Sequence, residues 1–174
     1  MAGRGKTAAK SRARGGRKPA ARQKDAIALL KADHREVEKL FKKYQGLGER
    51  ALKTKGTTIQ KICTDLQVHD VLERELLYPM TQSVDGKLTN HALEEHDEVN
   101  KLIEEIKGTE PDDERMEGLM EKLISDVKDH VKEEEKELFP ELQSAVEKEI
   151  LKETGRQMAD LKKQLTSKKK TRAA

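Results

Sequence analysis

The sequence predicts an all-α protein: an up-down antiparallel four-helix bundle followed by one more helix. Apolar residues recur at three- and four-residue spacing through most of the 174-residue chain, which is the spacing of one helix face. Glycine or proline separates these periodic segments, and the short connections favour antiparallel neighbours. The chain has no Trp, two Tyr and two Phe, a composition that argues against a β-sandwich.

Glycine, threonine and proline residues set the expected helix boundaries. Gly46 follows the first helix, and Thr57 or Thr58 is the candidate N-cap of the second. Pro111 is tolerated in the first turn of the fourth helix. Pro140 interrupts or kinks the pattern, so a separate helix is expected after it. The predicted spans are 25–45, 58–80, 89–107, 112–139 and 141–165.

Charge divides the chain into an acidic body and two basic ends. Residues 1–24 carry nine Lys and Arg and no acid, and residues 161–174 carry six and no acid, although the whole chain is only +3. The first segment lacks large apolar residues after Met1, so disorder is expected there. The expected organisation is a basic disordered tail at 1–24, a four-helix bundle at 25–143, and a C-terminal helix with a basic tail at 144–174.

Composition also excludes several classes of protein. The apolar runs are too short for a membrane helix, and no apolar stretch of the kind found in secretory signals follows the basic start. One cysteine, Cys63, excludes a disulfide framework and a cysteine-built zinc site. We therefore expect a cytoplasmic protein without a membrane partner.

Each of the first four helices places a histidine where the periodicity requires an apolar residue. Two helices add a glutamate one turn later, on the same face. The residues are His34, His69, Glu73, His96, His130 and Glu134. A buried, unpaired carboxylate costs several kcal/mol, so two carboxylates and four imidazoles at core positions indicate a metal centre. Imidazole with carboxylate favours iron, manganese or zinc over calcium, and two carboxylates can bridge two ions while two imidazoles cap each one.

An internal repeat sharpens this prediction. Residues 69–79 align with 130–140: both begin with His and place Glu at the fourth following position, an aromatic at the ninth and Pro at the tenth. Residues 33–37 align with 95–99, where each segment begins with an acid followed by His. Two helical hairpins, each contributing one lone His and one His-x-x-x-Glu, predict a pseudo-twofold bundle around two ions.

These motifs resemble the hemerythrin-like, His-His-Glu cation-binding domain family over about residues 25–143. The resemblance implies a four-helix bundle holding two iron ions with an oxo or hydroxo bridge, with manganese or zinc ranked behind iron. It implies terminal ligands at His34, His69, His96 and His130, and bridging ligands at Glu73 and Glu134.

Two departures from the oxygen-carrying hemerythrins bear on function. Asn100 stands where those proteins have a second histidine on helix three. They also have a His-x4-Asp on helix four, whereas here His130 is followed by Glu134. The remaining set is similar to bacterial hemerythrin-like proteins linked to iron sensing, cluster repair or peroxide handling, which suggests a role in stress response. We expect a protein that binds or senses O2, peroxide or nitric oxide, or handles iron.

Two alternatives remain open. The basic tails would allow an interaction module that binds DNA or another polyanion without sequence readout, with metal serving as a structural staple. The third reading is an enzyme that decomposes peroxide at a di-iron site.

Residues next to the predicted ligands carry weaker expectations. Asp70 is interpreted as a solvated surface acid, whereas Asp33 and Glu95 are either surface acids or groups that orient an imidazole. His91 is expected to be exposed, since it lies far around the helix from His96. Tyr78 is expected to pack at the end of the bundle.

Overall fold

The computed structural model describes residues 24–172, so most of the predicted N-terminal tail lies outside the described part of the chain. The helices are α1 (Ala26–Gln45), α2 (Leu52–Leu72), α3 (Tyr78–Thr81), α4 (Gly86–Lys107), α5 (Met116–Glu133), α6 (Phe139–Ala145) and α7 (Lys148–Arg172). Two π-helical turns, Glu73–Leu77 and Glu134–Leu138, join α2 to α3 and α5 to α6. The all-α class and the additional C-terminal helix are confirmed.

Aspartate side chains cap two of the bundle helices at their N-termini. Asp25 accepts a hydrogen bond of 2.8 Å from the Ala28 backbone N–H at the start of α1. Asp85 accepts bonds of 2.9 Å from the backbone N–H groups of Lys87 and Leu88 at the start of α4. Each carboxylate satisfies donors that have no partner within the helix, and it lies at the positive end of the helix dipole.

The second helix begins earlier than predicted. It starts at Leu52, so Gly56 lies inside the helix and neither Thr57 nor Thr58 is an N-cap. A Cβ at Gly56 would lie 3.2 Å from Cγ of Pro111, so the missing side chain lets the connection before α5 approach the helix. Pro111 itself lies in a turn rather than in the first turn of α5, which begins only at Met116.

Both prolines of the repeat follow a π-helical turn and do not end the helix, which corrects the boundary predicted at Pro140. The backbone N–H of Tyr78 bonds to the carbonyl of Glu73, and that of Phe139 bonds to the carbonyl of Glu134. Proline lacks an N–H and its ring clashes with the carbonyl four residues earlier in an α-helix. The wider π turn relieves that clash, and the chain continues into α6 as far as Ala145.

The last helix lies across α1 and α2 and is displaced from its predicted span of 141–165. It begins at Lys148 and runs to Arg172, through basic residues that were expected to form a tail. Its residues Leu151 and Met158 are buried against the rest of the bundle. A Cβ at Gly155 would lie 2.5 Å from the backbone of Asp25, so this glycine allows α7 to touch the backbone at the start of α1.

Two apolar clusters form the core, and a polar layer separates them. The first cluster includes Phe41, Ile62 and Met120, and the second includes Leu30 and Phe139. The second cluster also contains the buried face of α7. Each predicted ligand histidine lies along its helix where one cluster gives way to the other. None of the helices within residues 24–172 is long and apolar enough to span a membrane.

Candidate metal centre

The four bundle helices bring all six predicted ligand side chains together in the polar layer. Exposure falls to 0% at Glu73 and 1% at Glu134, and it is 6–8% at the four histidines. The six residues come from α1, α2, α4, α5 and the first position of each π turn. They are His34, His69, Glu73, His96, His130 and Glu134. The π turns therefore begin at the two carboxylates, and such turns are frequent at functional sites.

The six side chains form two groups of four possible metal donors. One group holds the histidine pair from α1 and α2, and the other holds the pair from α4 and α5. Within each group the possible ligand atoms lie within 4.8 Å of one another. Glu73 and Glu134 belong to both groups. The arrangement therefore supplies two metal positions that share two carboxylates.

Each carboxylate reaches one histidine from each pair. Glu73 places Oε1 at 3.1 Å from Nε2 of His69 and Oε2 at 3.1 Å from Nε2 of His96. Glu134 Oε2 lies 3.5 Å from Nε2 of both His34 and His130. This is the placement that bridging carboxylates require.

The donor atoms fit bound cations better than they fit hydrogen bonds to one another. Nε2 of His34 faces Nε2 of His69 at 3.2 Å, and Nε2 of His96 faces Nε2 of His130 at 2.9 Å. Two ligand nitrogens about 2.1 Å from one ion, at right angles, lie roughly 3 Å apart. The Oε1 atom of Glu73 is also buried without a hydrogen bond to any described residue. A buried acceptor of this kind is costly unless a cation satisfies it.

Acids outside the centre face the other ring nitrogen of each histidine. Three of the histidines contact an acid at hydrogen-bond distance through Nδ1: His34 with Glu135 at 3.0 Å, His96 with Asp70 at 2.5 Å, and His130 with Glu95 at 2.8 Å. The fourth acid, Asp33, lies 4.0 Å from Nδ1 of His69 and forms no hydrogen bond there. An acceptor at Nδ1 holds the proton on that nitrogen and leaves the lone pair of Nε2 free for a metal.

These contacts correct one expectation and refine two others. Asp70 is not a solvated surface acid, because it accepts bonds from His96, Arg74 and Asn100. Asp33 and Glu95 do face imidazoles, but each faces the histidine of the next helix rather than its neighbour in sequence.

Sequence reasoning missed Glu135, and the repeat carries no signal for it. The repeat places Glu135 at a position where the first half has Arg74. Asp70 comes one residue after His69, whereas Glu135 comes five residues after His130. The two acids therefore lie about one helical turn apart when the repeats are aligned. The two halves therefore supply an acid to Nδ1 of a histidine from different positions of the repeat.

Tyr78 is the second residue that sequence reasoning misplaced. Its hydroxyl lies 2.8 Å from Nε2 of His96 and donates to Glu134 Oε1 at 3.1 Å, so it belongs to the centre itself. The equivalent residue of the other half is Phe139, whose ring stacks on His34 with centroids 5.9 Å apart. The two metal positions therefore differ: one has a hydroxyl beside it and the other has an apolar ring.

Comparison with known families decides what this arrangement is. A family model described as the hemerythrin HHE cation-binding domain matches residues 25–142. The chain belongs to this family. Its membership and the two donor groups make it a hemerythrin-like, metal-binding protein.

A solved structure supports the fold of this HHE chain. The crystal structure of a hemerythrin HHE cation-binding domain-containing protein from Mycobacterium kansasii is similar to it, with a TM-score of 0.73 and 22% sequence identity. The likeness covers 83% of this chain and 88% of that chain. At this identity the likeness concerns the fold alone. No curated protein matches the chain.

Without metal, His69 and His96 of the HHE centre hold protons against the ionised carboxylate of Glu73. Burial opposes the charge on His69, but the carboxylates of Glu73, Asp33 and Glu134 together outweigh it and raise the pKa of His69 to about 10. Burial opposes the charge on His96 too, and Asp70 with Glu73 raises the pKa of His96 to about 9. The two imidazoliums in turn overcome burial and hold the pKa of Glu73 well below its ordinary value.

The metal-free protein should therefore lose stability as pH rises. A raised histidine pKa contributes stability that is complete below the unfolded value of about 6.5. That contribution disappears as pH rises through the folded values, about 9 for His96 and about 10 for His69. Denaturant unfolding between pH 6 and pH 10, with chelator present, measures the loss.

Metal should reverse the direction of this pH dependence. Cations bind neutral imidazole, so metal binding near pH 8 displaces about two protons, one each from His69 and His96. Proton release on metal addition in weak buffer checks this count. His91→Gln is the matched control, because His91 is half exposed and lies outside the two four-donor groups. A metal-free protein whose stability rises from pH 7 to pH 10 would contradict the assignment.

Proposed function

We propose that the protein holds two iron ions and binds O2, peroxide or nitric oxide at them. The observation that carries the proposal is the pair of four-donor groups sharing Glu73 and Glu134. Each ion would be held by two imidazoles and by the two shared carboxylates, about four protein donors. Six-coordinate iron would then keep positions for a small ligand.

The chemistry of the donors supports iron among the metals they could hold. Imidazole and carboxylate nitrogen and oxygen ligands are those of non-haem iron, whereas structural zinc favours closed four-coordinate sites with thiolate. Iron supplies reversible electron transfer to a bound oxidant. Cys63 is buried in the first core cluster and lies outside the donor groups. We rank manganese and zinc behind iron for these reasons.

The residues of the chain then orient the site and control protons. Asp70, Glu95 and Glu135 hold three of the imidazoles through Nδ1, so that Nε2 points into the centre. The buried hydroxyl of Tyr78 keeps its proton because burial, Glu73 and Glu134 raise its pKa well above the ordinary value. It can therefore donate a hydrogen bond to a ligand at the metal position of His96 and His130.

The position of Tyr78 also favours a second candidate function, peroxide decomposition. Breaking a peroxide O–O bond requires a proton for the departing oxygen, and general acids placed in this way contribute about 10²–10⁴-fold in rate. The hydroxyl of Tyr78 is buried and lies beside only one of the two metal positions. Turnover would distinguish a catalyst from a protein that binds its ligand reversibly.

Metal analysis and absorption spectroscopy of the purified protein test both candidates. We expect about two irons per chain, with bands of an oxo-bridged di-ferric centre that shift when azide or peroxide is added. Tyr78→Phe should keep the iron and the azide shift but change the response to peroxide. Tyr44→Phe is the matched control, since it removes the hydroxyl of a buried tyrosine that donates to Glu117 and lies outside the donor groups. A metal-free protein with undiminished helicity and thermal stability would contradict the proposal.

A further inference from the structure

A cleft between α1 and α5 leads from the surface to the metal centre. It has a volume of about 540 Å³, and the histidines from all four bundle helices line it. The cleft exists because α1 packs closely on α2 and α7, and α5 packs on α4, whereas α1 and α5 are not closely packed on each other. Its mouth is lined by exposed residues of these two helices, including Arg35 and Lys128.

The cleft is far larger than any ligand in the proposed function. One water molecule occupies about 30 Å³ in the liquid, so a diatomic gas or peroxide would fill only a small part of it. Cavities of about 300–1,000 Å³ are the size that binds organic molecules. Its walls are largely apolar, built by Val37, Phe41, Leu66, Val127 and Val131. An apolar chain would displace water from these walls favourably.

The charges along the cleft indicate how such a molecule would lie. Two acids also line the cleft, but Lys42 pairs with Glu38, and Lys31 and Arg35 lie within 4 Å of Glu135. At the mouth, Lys128, Lys132 and Lys136 form no ion pair with any acid among residues 24–172. At the inner end, the cleft is lined by Asp33 and Asp70, which face histidines of the centre and also pair with Lys162 and Arg74. An anionic group is therefore attracted to the three lysines at the mouth, and the apolar walls beyond them can receive an attached chain.

We propose that the cleft binds an amphipathic organic acid of the medium-chain fatty acid type. Its carboxylate lies between Lys128 and Lys132, and its apolar chain runs past Val131 and Phe41 toward the histidines. Binding itself depends only on the cleft. A second part of the proposal rests on the function proposed above. The buried end of the organic acid lies beside the iron centre, where a hydroperoxide group on it would be held.

Decanoate binding to the full-length protein tests the proposal, measured by calorimetry below the micelle concentration. Each removal of two methylenes, from decanoate to octanoate and from octanoate to hexanoate, should weaken binding about 15-fold, since one methylene is worth about 0.8 kcal/mol. Affinity should also fall as salt rises, because the anchoring charges lie at the surface.

Matched variants separate the cleft from general binding to a basic protein. Val131→Trp fills the cleft and should weaken binding at least about tenfold, as should the double reversal Lys128→Glu with Lys132→Glu. The controls are Ile150→Trp, an exposed apolar position on α7, and Lys101→Glu, an exposed lysine of α4. Both controls should bind decanoate as the unmodified protein does.

Decanoate binding and iron content are measured separately, so that the two proposals can fail independently. Each protein is measured metal-loaded and after chelation, with its metal content determined. Two irons per chain without decanoate binding, binding independent of chain length, or equal losses in the controls would overturn the cleft proposal. Decanoate binding to a protein that takes up no iron would support the cleft while contradicting the function proposed above.

Discussion

Glu73→Gln should lose both metal ions. Glu73 is completely buried, and its two oxygens face His69 and His96, which belong to different metal positions. The amide keeps the shape of the side chain but removes the charge and turns one ligand oxygen into an N–H donor. Mutating a group that only hydrogen-bonds to a metal ligand lowers metal affinity by about 10- to 100-fold. Loss of a bridging ligand should therefore lower it by more than about 100-fold.

Glu75→Gln is the matched control for this substitution. Glu75 lies in the same π turn, but it is exposed and belongs to neither donor group. The same change of charge there should leave the metal content unchanged. Metal analysis after dialysis against a weak chelator compares the two variants. Equal retention of two ions by both variants would show that Glu73 does not bridge.

Gly155→Ala should destabilise the protein by about 2–3 kcal/mol, although alanine is the better helix former. The added Cβ would lie 2.5 Å from the carbonyl oxygen of Lys24 and the carbonyl carbon of Asp25, and 2.7 Å from the nitrogen of Ala26. These atoms belong to the backbone at the start of α1, which cannot move aside as a side chain can. The last helix must therefore shift away from α1.

Gly118→Ala is the same chemical change, but it should raise the stability of the protein. Gly118 lies in the first turn of α5, and a Cβ there would meet nothing within 4 Å. Removing the backbone entropy of glycine should stabilise the protein by up to about 1 kcal/mol. Guanidinium unfolding of both variants, with metal removed, measures the difference. Equal stability changes in the two proteins would contradict the close approach of α7.

The metal centre could be foreseen because histidine and glutamate stand out against an apolar helical pattern. His34 and His96 occupy core positions that the periodicity assigns to apolar residues, and their approach follows from the bundle alone. The pairing of Glu73 with Glu134 follows from the repeat. The acids around the centre were harder to predict, because periodicity shows which face a residue occupies but not which neighbour it meets.

The helix boundaries that differ from prediction depend on interactions that local sequence rules do not contain. Gly56 has a weak helical preference, but close approach by Pro111 makes glycine suitable inside α2. Pro140 reads as a helix end under α-helical geometry, and only a π turn lets the helix pass it. The role of Tyr78 was hidden because Phe139, at the equivalent position, packs as the sequence predicts.

The acids that face the histidines also decide whether the protein can be divided. Asp33 of α1 faces a histidine of α2, Asp70 of α2 faces one of α4, Glu95 of α4 faces one of α5, and Glu135, just beyond α5, returns to α1. The contacts therefore close into a circuit. Separating the helices into any two groups therefore breaks at least two of these contacts. Separating the two sequence repeats breaks the contacts Asp70–His96 and Glu135–His34. The two hairpins, though related in sequence, are not exchangeable modules, and a chimera that replaced one would inherit an incompletely oriented centre.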